Sequence, residues 1–333
     1  GDPPLRLAGR IAVRSAALLF LGVIMVNREY FSEAAAGMSR DLWYFLAFAA
    51  VVIIWKITPS AASPGRRRAE RAAKAAAGFV LLLLLILFRG TAASGAVVWL
   101  RPSWWGILGM IGWAYLLSSL AYLFIGRSRT ALLGLLGLLT AACIGNSCGL
   151  LDFLGGGGGT AFRGQLACHS VIVLAGVLFG TLFTAKDQAL SHARRAVFML
   201  SLGLGLYASG LLLRPLHGLS KIRATESYAL VTAGICALLF MGFYLVMDAL
   251  KLRRWAAFLQ PIGRNPLLAY LLPDIIGAFL ALASAATGFE ADRLLWPFRG
   301  LGGGAGMLNA LVMTGLVLLL TSGLTRAKVI LKL

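Results

Sequence analysis

About ten apolar runs, most of them close to 20 residues long, follow one another along the 333 residues of this chain. A helix needs roughly 20 mostly apolar residues to cross the hydrocarbon core of a bilayer. The runs are continuous rather than alternating, which argues against a membrane β-barrel. Only 13% of the residues are charged, whereas a soluble domain carries about 25%. We therefore predict an all-α fold, a polytopic membrane helix bundle.

The predicted spans alternate with loops whose basic residues are unevenly distributed. The spans cover residues 11–27, 42–57, 76–89, 104–125, 131–151, 165–184, 196–213, 227–249, 265–286 and 305–323. One set of alternate loops and tails holds 19 lysine and arginine residues, and the other set holds ten. Cytoplasmic loops of membrane proteins carry the excess of basic residues. We therefore predict a single transmembrane helical domain over residues 1–333, about ten spans, both termini in the cytoplasm, and a location in the cytoplasmic (inner) membrane.

Charge and cysteine content exclude several other classes of protein. The formal charge of +19 does not indicate nucleic-acid binding, because the basic residues fall in short loops and no soluble basic domain is present. The cysteines Cys143, Cys148, Cys168 and Cys236 lie in or beside apolar runs without metal-ligand spacing. We interpret them as membrane-buried thiols and predict no metal site. The sequence motifs of zinc proteases and serine hydrolases are missing, which argues against those enzymes.

The ninth predicted span carries a proline and a carboxylate side by side. Pro273 removes a backbone donor and its ring clashes with the carbonyl one turn earlier, so we expect the helix to kink or open there. Asp274 lies about nine residues into the span, near mid-depth at roughly 1.5 Å per residue. A carboxylate at that depth is costly unless it is paired, protonated or in contact with water. Asp274 is therefore a catalytic candidate, and the alternative is a structural acid bonded to a neighbouring helix.

The loop between the seventh and eighth spans gathers basic and hydroxyl side chains on the predicted external side. Lys221 supplies a point charge and Arg223 a bidentate donor. Thr225 and Ser227 add hydroxyl groups, so the loop has the chemistry to hold an anionic substrate. Either hydroxyl can equally cap the eighth predicted helix, with Glu226 favoured in its first turn by the helix dipole.

Three histidines complete the set of titratable candidates. His169 lies near the external start of the sixth predicted span and is a candidate catalytic residue, although a membrane histidine more often bonds between helices. His217 lies in a loop with basic neighbours and carries the same two interpretations. His192 lies in a predicted cytoplasmic loop, where we interpret it as a solvated side chain.

Several segments resemble a family of membrane enzymes. The run SKIRATESYALVTAG at residues 220–234, followed by Tyr244 and Asp248, resembles the late part of heparan-α-glucosaminide N-acetyltransferase-like proteins. The motif GRNPLLAY at residues 263–270 does so as well. The segments LRPSWWGILG and IGWAY, within residues 100–115, are similar to a bacterial branch of that family. The resemblance covers nearly all of the chain in order.

The resemblance implies a reaction and the residues that serve it. Members of the family transfer an acetyl group from acetyl-CoA on the cytoplasmic side to an acceptor on the far side, here a saccharide or envelope glycan. Acetyl-CoA is then the co-substrate, and Arg253, Arg254 and Arg264 lie on the predicted cytoplasmic side, where its phosphates need partners. Asn265 and Tyr270 of the GRNPLLAY motif are expected to contact the acceptor together with the external-loop residues named above.

The chain departs from the family pattern at three places. In characterised members an essential histidine occupies the external loop between the first two spans. The alignment places that loop upstream of Gly1, so we expect the chain to represent the family without its first two spans. Gly109 and Met110 stand where other members carry a Gln-Arg pair. Pro273 stands where they carry a histidine before the acid that matches Asp274.

Two functions follow from these observations. The leading hypothesis is a multi-pass membrane acyltransferase that uses acetyl-CoA. The alternative is a transporter or channel in which Asp274 and the Pro273 helix break line a polar path, as discontinuous helices do in transporters. A scaffold without chemistry is a third class. The expected partners are the lipid bilayer and the glycan acceptor, a homo-oligomer is compatible with the sequence, and no nucleic acid is expected.

Overall fold

The computed structural model describes residues 3–59, 63–154, 159–183, 190–291 and 303–333. Within these residues the chain is almost entirely helical, with one two-stranded antiparallel ladder, β1 (Gly90–Thr91) and β2 (Val97–Val98). The all-α prediction is therefore confirmed for the described part of the chain. The chain divides into two compact units, Gly1–Val23 with Ser103–Arg254, and Ile24–Pro102 with Trp255–Leu333.

Every predicted span contains a helix. The α-helices of the described residues are α1 (Pro4–Asn27), α2 (Glu33–Ala36), α3 (Arg40–Trp55), α4 (Pro64–Leu87), α5 (Gly106–Ile125), α6 (Arg129–Ser147), α7 (Gly159–Thr181), α8 (His192–His217), α9 (Glu226–Tyr244), α10 (Gln260–Arg264), α11 (Pro266–Thr287) and α12 (Gly304–Arg326). Short 3-10 turns cover Arg28–Tyr30, Asp152–Leu154 and Arg254–Leu259, and a π-helical turn, Leu245–Ala249, follows α9.

Eight of these helices, among the residues that the structure describes, are long and apolar enough to cross a membrane. They are α1, α5, α6, α7, α8, α9, α11 and α12. The other two predicted spans correspond to α3 and α4. Helix α3 has 16 residues, which gives about 24 Å against the roughly 30 Å of a bilayer core. Helix α4 has 24 residues, but its first half is rich in arginine. The count of ten spans remains a prediction.

The first unit is centred on an antiparallel pair of helices, α8 and α9. A Cβ atom added to Gly234 would lie 2.6 Å from the backbone nitrogen of Tyr207, and one added to Gly210 would lie 2.7 Å from that of Val231. Such distances leave no room for a side chain, so the two backbones approach closely, as membrane helices with small residues do. The pair positions residues from opposite ends of α8 and α9 next to one another.

The core of the first unit also involves α6 and α7. Its buried members include Leu132, Leu174 and Leu178. Two buried thiols reach the loop before α9: Cys143 Sγ lies 3.4 Å from the carbonyl of Ala224, and Cys168 Sγ lies 3.6 Å from that of Thr225. These contacts hold the loop against the α6–α7 pair.

Helices α1 and α5 cross within the first unit at glycines. A Cβ atom added to Gly22 on α1 would lie 2.8 Å from Cα of Gly109 on α5, and one added to Gly112 would lie 3.0 Å from Cβ of Leu18. Met110 is 3% exposed. The chain departs from the pattern of the family that it resembles at Gly109 and Met110, and these residues lie at a tight helix crossing.

The second unit has an aromatic core between α3 and α4. The ring centroids of Trp43 and Phe88 are 5.2 Å apart, and those of Phe31 and Trp43 are 5.3 Å apart. Trp43 Nε1 donates a hydrogen bond of 2.9 Å to the carbonyl of Leu84. The pairing satisfies the indole donor in a site where Trp43 is fully buried.

Helix α11 does not break at Pro273. It is helical from Pro266 to Thr287, with the proline inside it. Proline removes one backbone donor, and the rest of the ladder persists on both sides. Of the two expectations, opening is therefore wrong, because the lost donor interrupts one hydrogen bond and not the helical path, and a kink at Pro273 stays a prediction.

Candidate functional site

A cavity of about 460 Å³ lies in the first unit, where α8 begins and α9 ends. Its basic side chains are His192 at the start of α8, Arg195 one turn later, and Lys251 just after the π-helical turn. Its aromatic walls include Phe183 and Tyr244. We call this site the cationic cavity.

The polar groups of the cationic cavity converge on one hydroxyl group. His192 Nδ1 lies 2.6 Å from the Tyr244 hydroxyl oxygen, and Arg195 Nη1 donates to the same oxygen at 3.3 Å. The guanidinium of Arg195 also lies over the ring of Phe183, 5.5 Å from its centroid. A guanidinium stacked on a ring keeps donors at its edge for an anion.

Two charged residues of the cavity lining, Asp248 and Lys251, lie in and just after the turn that follows α9. The π-helical turn Leu245–Ala249 carries Asp248, which lines the cavity and is bonded to Arg253 at 3.0 Å. Lys251 then adopts a left-handed backbone with φ of 62°, a region that a lysine seldom occupies. Because π-turns and unusual backbone angles concentrate at functional sites, this turn supports a binding role.

The cationic cavity has the chemistry to bind an anion with a flat ring. Three cationic or protonatable side chains supply charge-assisted hydrogen bonds to phosphate or carboxylate oxygens. The aromatic walls supply stacking surfaces. Asp248, the one carboxylate on its lining, is already paired with Arg253.

Asp274, the principal catalytic candidate, lies in an ion cluster of the second unit. Arg28 Nη1 is 3.6 Å from Asp274 Oδ1, and Arg28 Nη2 is 3.0 Å from Asp41 Oδ1. The Tyr44 hydroxyl donates a hydrogen bond to Asp274, and the Arg28 guanidinium lies 4.4 Å from the centre of the Tyr44 ring. One third of the Asp274 side chain is exposed. The acid is therefore paired, which fits a structural role as well as a functional one; its catalytic and transport roles stay predictions.

The hydroxyl groups of the external loop are hydrogen-bonded to backbone groups of the loop and of α9. Thr225 caps α9 by accepting from the backbone nitrogen of Tyr228, so the capping prediction is confirmed. Thr225 is 2% exposed and Ser227 is fully buried, with its hydroxyl bonded to the carbonyl of Gly218. Neither hydroxyl is at the surface for a substrate. Lys221 and Arg223 are exposed, and substrate binding by the loop stays a prediction.

Neither His169 nor Tyr270 is among the residues that line the cationic cavity. His169 is half-buried on α7, and no hydrogen bond to its side chain is found among the residues with described coordinates. Tyr270 is 36% exposed, one turn before Asp274 on α11. Their predicted catalytic and acceptor-binding roles remain predictions.

Asn265 serves as a structural anchor of the second unit. Its Nδ2 donates to the carbonyl of Val329 at 2.8 Å and to Thr325 Oγ1 at 3.2 Å, and its Oδ1 accepts from the backbone nitrogen of Leu331 at 3.1 Å. Asn265 is 0% exposed. All of its bonds hold the end of the chain, and none is left for an acceptor sugar.

The three arginines predicted to hold acetyl-CoA do not belong to one unit. Arg253 and Arg254 lie in the first unit, and Arg264 lies in the second. Arg253 is committed to Asp248 and to the carbonyl of Met247, 2.8 Å from its Nε. Asp248 and Arg253 are only five positions apart, so this ion pair is local in the sequence.

Sequence reasoning missed the residues that line the cationic cavity. The sequence predicts His192 as a solvated side chain and assigns Arg195 no role, whereas both line the cavity; Lys251, which also lines it, is one of the basic residues of the predicted cytoplasmic side. The available signal was the reciprocal position of the two helices: an antiparallel α8–α9 pair necessarily places His192 near Tyr244. Cys143 and Cys168 are buried between helices, whereas Cys148 and Cys236 lie on the surface of the protein, and the burial of these two thiols in the membrane stays a prediction.

No group of three histidine, cysteine, aspartate or glutamate side chains in the described ranges is arranged to hold a metal ion. Comparisons with known proteins add no assignment: no family model, no curated protein and no solved structure matches this chain.

Proposed function

We propose that this chain is a multi-pass acyltransferase of the cytoplasmic membrane, related to the heparan-α-glucosaminide N-acetyltransferase-like proteins that it resembles. It takes an acetyl group from acetyl-CoA and passes it to a saccharide or envelope-glycan acceptor. The observation that carries the proposal is the cationic cavity. Its three basic side chains and its aromatic walls match the phosphates and the adenine ring of a CoA molecule.

The cavity supports a donor site on the side where acetyl-CoA is made. It lies at the start of α8 and the end of α9, beside loops rich in lysine and arginine, which the positive-inside rule assigns to the cytoplasm. A volume of about 460 Å³ accommodates part of a CoA molecule, within the range of small-molecule sites. Lys251 and Arg195 then bind phosphate oxygens, and Phe183 stacks on the base.

Binding of acetyl-CoA to the purified chain in lipid nanodiscs tests the proposal. Arg195→Ala and Lys251→Ala should each weaken binding by about 10-fold to 100-fold, the loss of a charge-assisted hydrogen bond worth about 1.5–3 kcal/mol. Arg194→Ala is the matched control, because Arg194 is exposed on the same turn of α8 and does not line the cavity. Absence of acetyl-CoA binding, or equal losses in all three variants, would overturn the proposal.

A further inference from the structure

We propose that Cys148, His217 and Glu226 form a nucleophilic thiol site that accepts an acyl group from an anionic thioester or activated ester. The three residues lie at the C-terminal cap of α6, at the last residue of α8 and at the first residue of α9. His217 Nε2 is 3.9 Å from Cys148 Sγ, and His217 Nδ1 is 3.0 Å from Glu226 Oε1. The thiol, the imidazole and the carboxylate are therefore arranged in space as a nucleophile, its base and the group that orients the base.

The exposure of the three side chains follows the order that such a site requires. Cys148 is exposed, 23% of the His217 side chain is exposed, and the Glu226 side chain is fully buried. A nucleophile must be reachable by its substrate, whereas the orienting carboxylate acts best away from water. The exposed fraction of the side chains therefore falls from Cys148 through His217 to Glu226.

The bond to Glu226 determines how the imidazole is oriented. With Nδ1 facing the carboxylate, the Nδ1 hydrogen is donated to Glu226 and the Nε2 lone pair faces the thiol. Glu226 Oε2 is buried without a hydrogen-bond partner among the described residues. A carboxylate with only structural duties normally satisfies both oxygens when buried. Here the free acceptor leaves capacity to stabilise a positively charged imidazole.

Local structure holds Glu226 in place. Thr225 caps α9, so Glu226 occupies the first turn of a 19-residue helix, where the dipole favours a negative charge. The preceding loop is closed by a hydrogen bond of 3.0 Å from the backbone nitrogen of Ser220 to Thr225 Oγ1, and by the bond between Ser227 and Gly218. This loop therefore positions the Glu226 carboxylate.

A cation lies beside this site. A Cβ atom added to Gly218, the residue after His217, would lie 3.6 Å from Arg223 Nη2. The guanidinium therefore lies beside the residue that follows His217, where its positive charge favours a negatively charged substrate. This is the reason for assigning an anionic acyl donor.

The acyl-transfer step balances with the residues present. His217 Nε2 takes the thiol proton as Cys148 Sγ attacks the acyl carbonyl of the donor. The tetrahedral intermediate collapses, the bond to the leaving thiolate or alkoxide breaks, and His217 returns the proton to that leaving group. The product is a thioester on Cys148. An acceptor hydroxyl, an amine or water, deprotonated by His217, then attacks the thioester and releases the Cys148 thiol.

The thiol site is separate from the cationic cavity. His192 and His217 lie at the two ends of α8, a helix of 26 residues, so they are about 38 Å apart at roughly 1.5 Å per residue. The thiol site therefore does not share a donor with the cavity directly. The inference goes beyond the proposed function and does not depend on it.

Acylation by the acetyl thioester of 3-mercaptopropionate, a donor with one carboxylate, tests the inference on the full chain in nanodiscs. Peptide mass spectrometry locates the acetyl group and gives the rate at each cysteine. The control thiol is Ile222→Cys in a Cys148→Ser background, since Ile222 is 87% exposed in the same basic loop. We expect acetylation of Cys148 to be on the order of 100-fold faster than that of the control thiol.

The variant His217→Gln should reduce the Cys148 rate to that of the control thiol while leaving the rate at the Ile222→Cys thiol unchanged. Equal rates at Cys148 and at the control thiol, or a Cys148 rate that is unaffected by His217→Gln, would overturn the inference. If His217→Gln does not fold, the comparison with the control thiol still decides the result.

Discussion

Arg28 is the residue on which the ion cluster of the second unit depends. It neutralises both Asp41 and Asp274, and 30% of its side chain is exposed. Arg28→Met should lower the free energy of unfolding by about 2–4 kcal/mol, because removing one partner of a partly buried pair leaves carboxylates uncompensated. Thermal unfolding in nanodiscs measures the effect.

Arg40→Met is the control for that prediction. Arg40 is 49% exposed and lies 4.0 Å from the same Asp41, so its loss should cost less than about 1 kcal/mol. If both variants shift the unfolding midpoint equally, the Arg28 cluster does not stabilise the unit. Asp274→Asn relieves the need for a cation and should partly rescue Arg28→Met, a coupling that a transport role alone does not predict.

Glu70 gives the chain a pH-dependent contact near the start of α4. A hydrogen bond from Thr58 and the charges of Lys56 and Arg66 hold the pKa of Glu70 below its usual range. A carboxyl group with a lowered pKa stabilises the folded state above its ordinary pKa, about 4.3, and loses that effect as the pH falls through the lower folded value. The Glu70 contribution is therefore present at neutral pH and disappears in acid.

Glu70→Gln should accordingly reduce the unfolding midpoint at pH 7 and have little effect near pH 3, where the wild-type carboxyl group is protonated. A constant difference between wild type and Glu70→Gln over this range would contradict the assignment.

At the scale of elements, the α8–α9 contact is the packing on which both candidate sites of the first unit depend. Gly234→Ala places a methyl group 2.6 Å from the backbone nitrogen of Tyr207 and 2.8 Å from the carbonyl of Gly203. Forcing the helices apart should destabilise the protein by about 1–3 kcal/mol. Gly205→Ala on α8 meets no atom within 4 Å and should be neutral or slightly stabilising. Unfolding midpoints of the two variants that do not differ would refute the close contact.

The helices were largely predictable from the sequence, whereas the candidate sites were not. Continuous apolar runs predict helices, and each predicted span contains one; eight of these helices, among the described residues, are long and apolar enough to cross a membrane. A side chain's partners depend on which helices pack together: His192 and Tyr244 are 52 residues apart, and Cys148 and His217 are 69 apart. The sequence carries no signal for the pairing of Cys148 with His217, and for His192 and Tyr244 the only signal is the antiparallel order of α8 and α9. Thr225 was predictable, because a cap is a local feature.

Asp274 shows the limit of reasoning from depth alone. An acid in an apolar run suggested a functional site, but the residue that neutralises it, Arg28, lies at the end of a different helix, 246 positions earlier in the chain. The sequence indicated that the charge needs a partner and could not name that partner.

At the scale of the whole molecule, the orientation of α3 and α4 determines the topology. If both helices cross the membrane, the chain has ten spans; if neither does, it has eight, and in both cases the number is even. A membrane-impermeant maleimide added to intact cells distinguishes the two. Ser94→Cys should react and Gly65→Cys should be protected if α3 and α4 cross, because both positions are exposed on the protein. Equal reactivity of the two cysteines would contradict ten spans.

The central claim is that this membrane protein transfers an acyl group from a CoA donor held in the cationic cavity. Radiolabelled acetyl-CoA supplied to inside-out membrane vesicles tests it most directly, with the label followed into the glycan fraction. We predict incorporation that requires the chain and falls at least about 10-fold in Lys251→Ala, while Arg194→Ala retains it. Label in the glycan fraction no higher than in vesicles without the chain, although the purified chain binds acetyl-CoA, would contradict the claim.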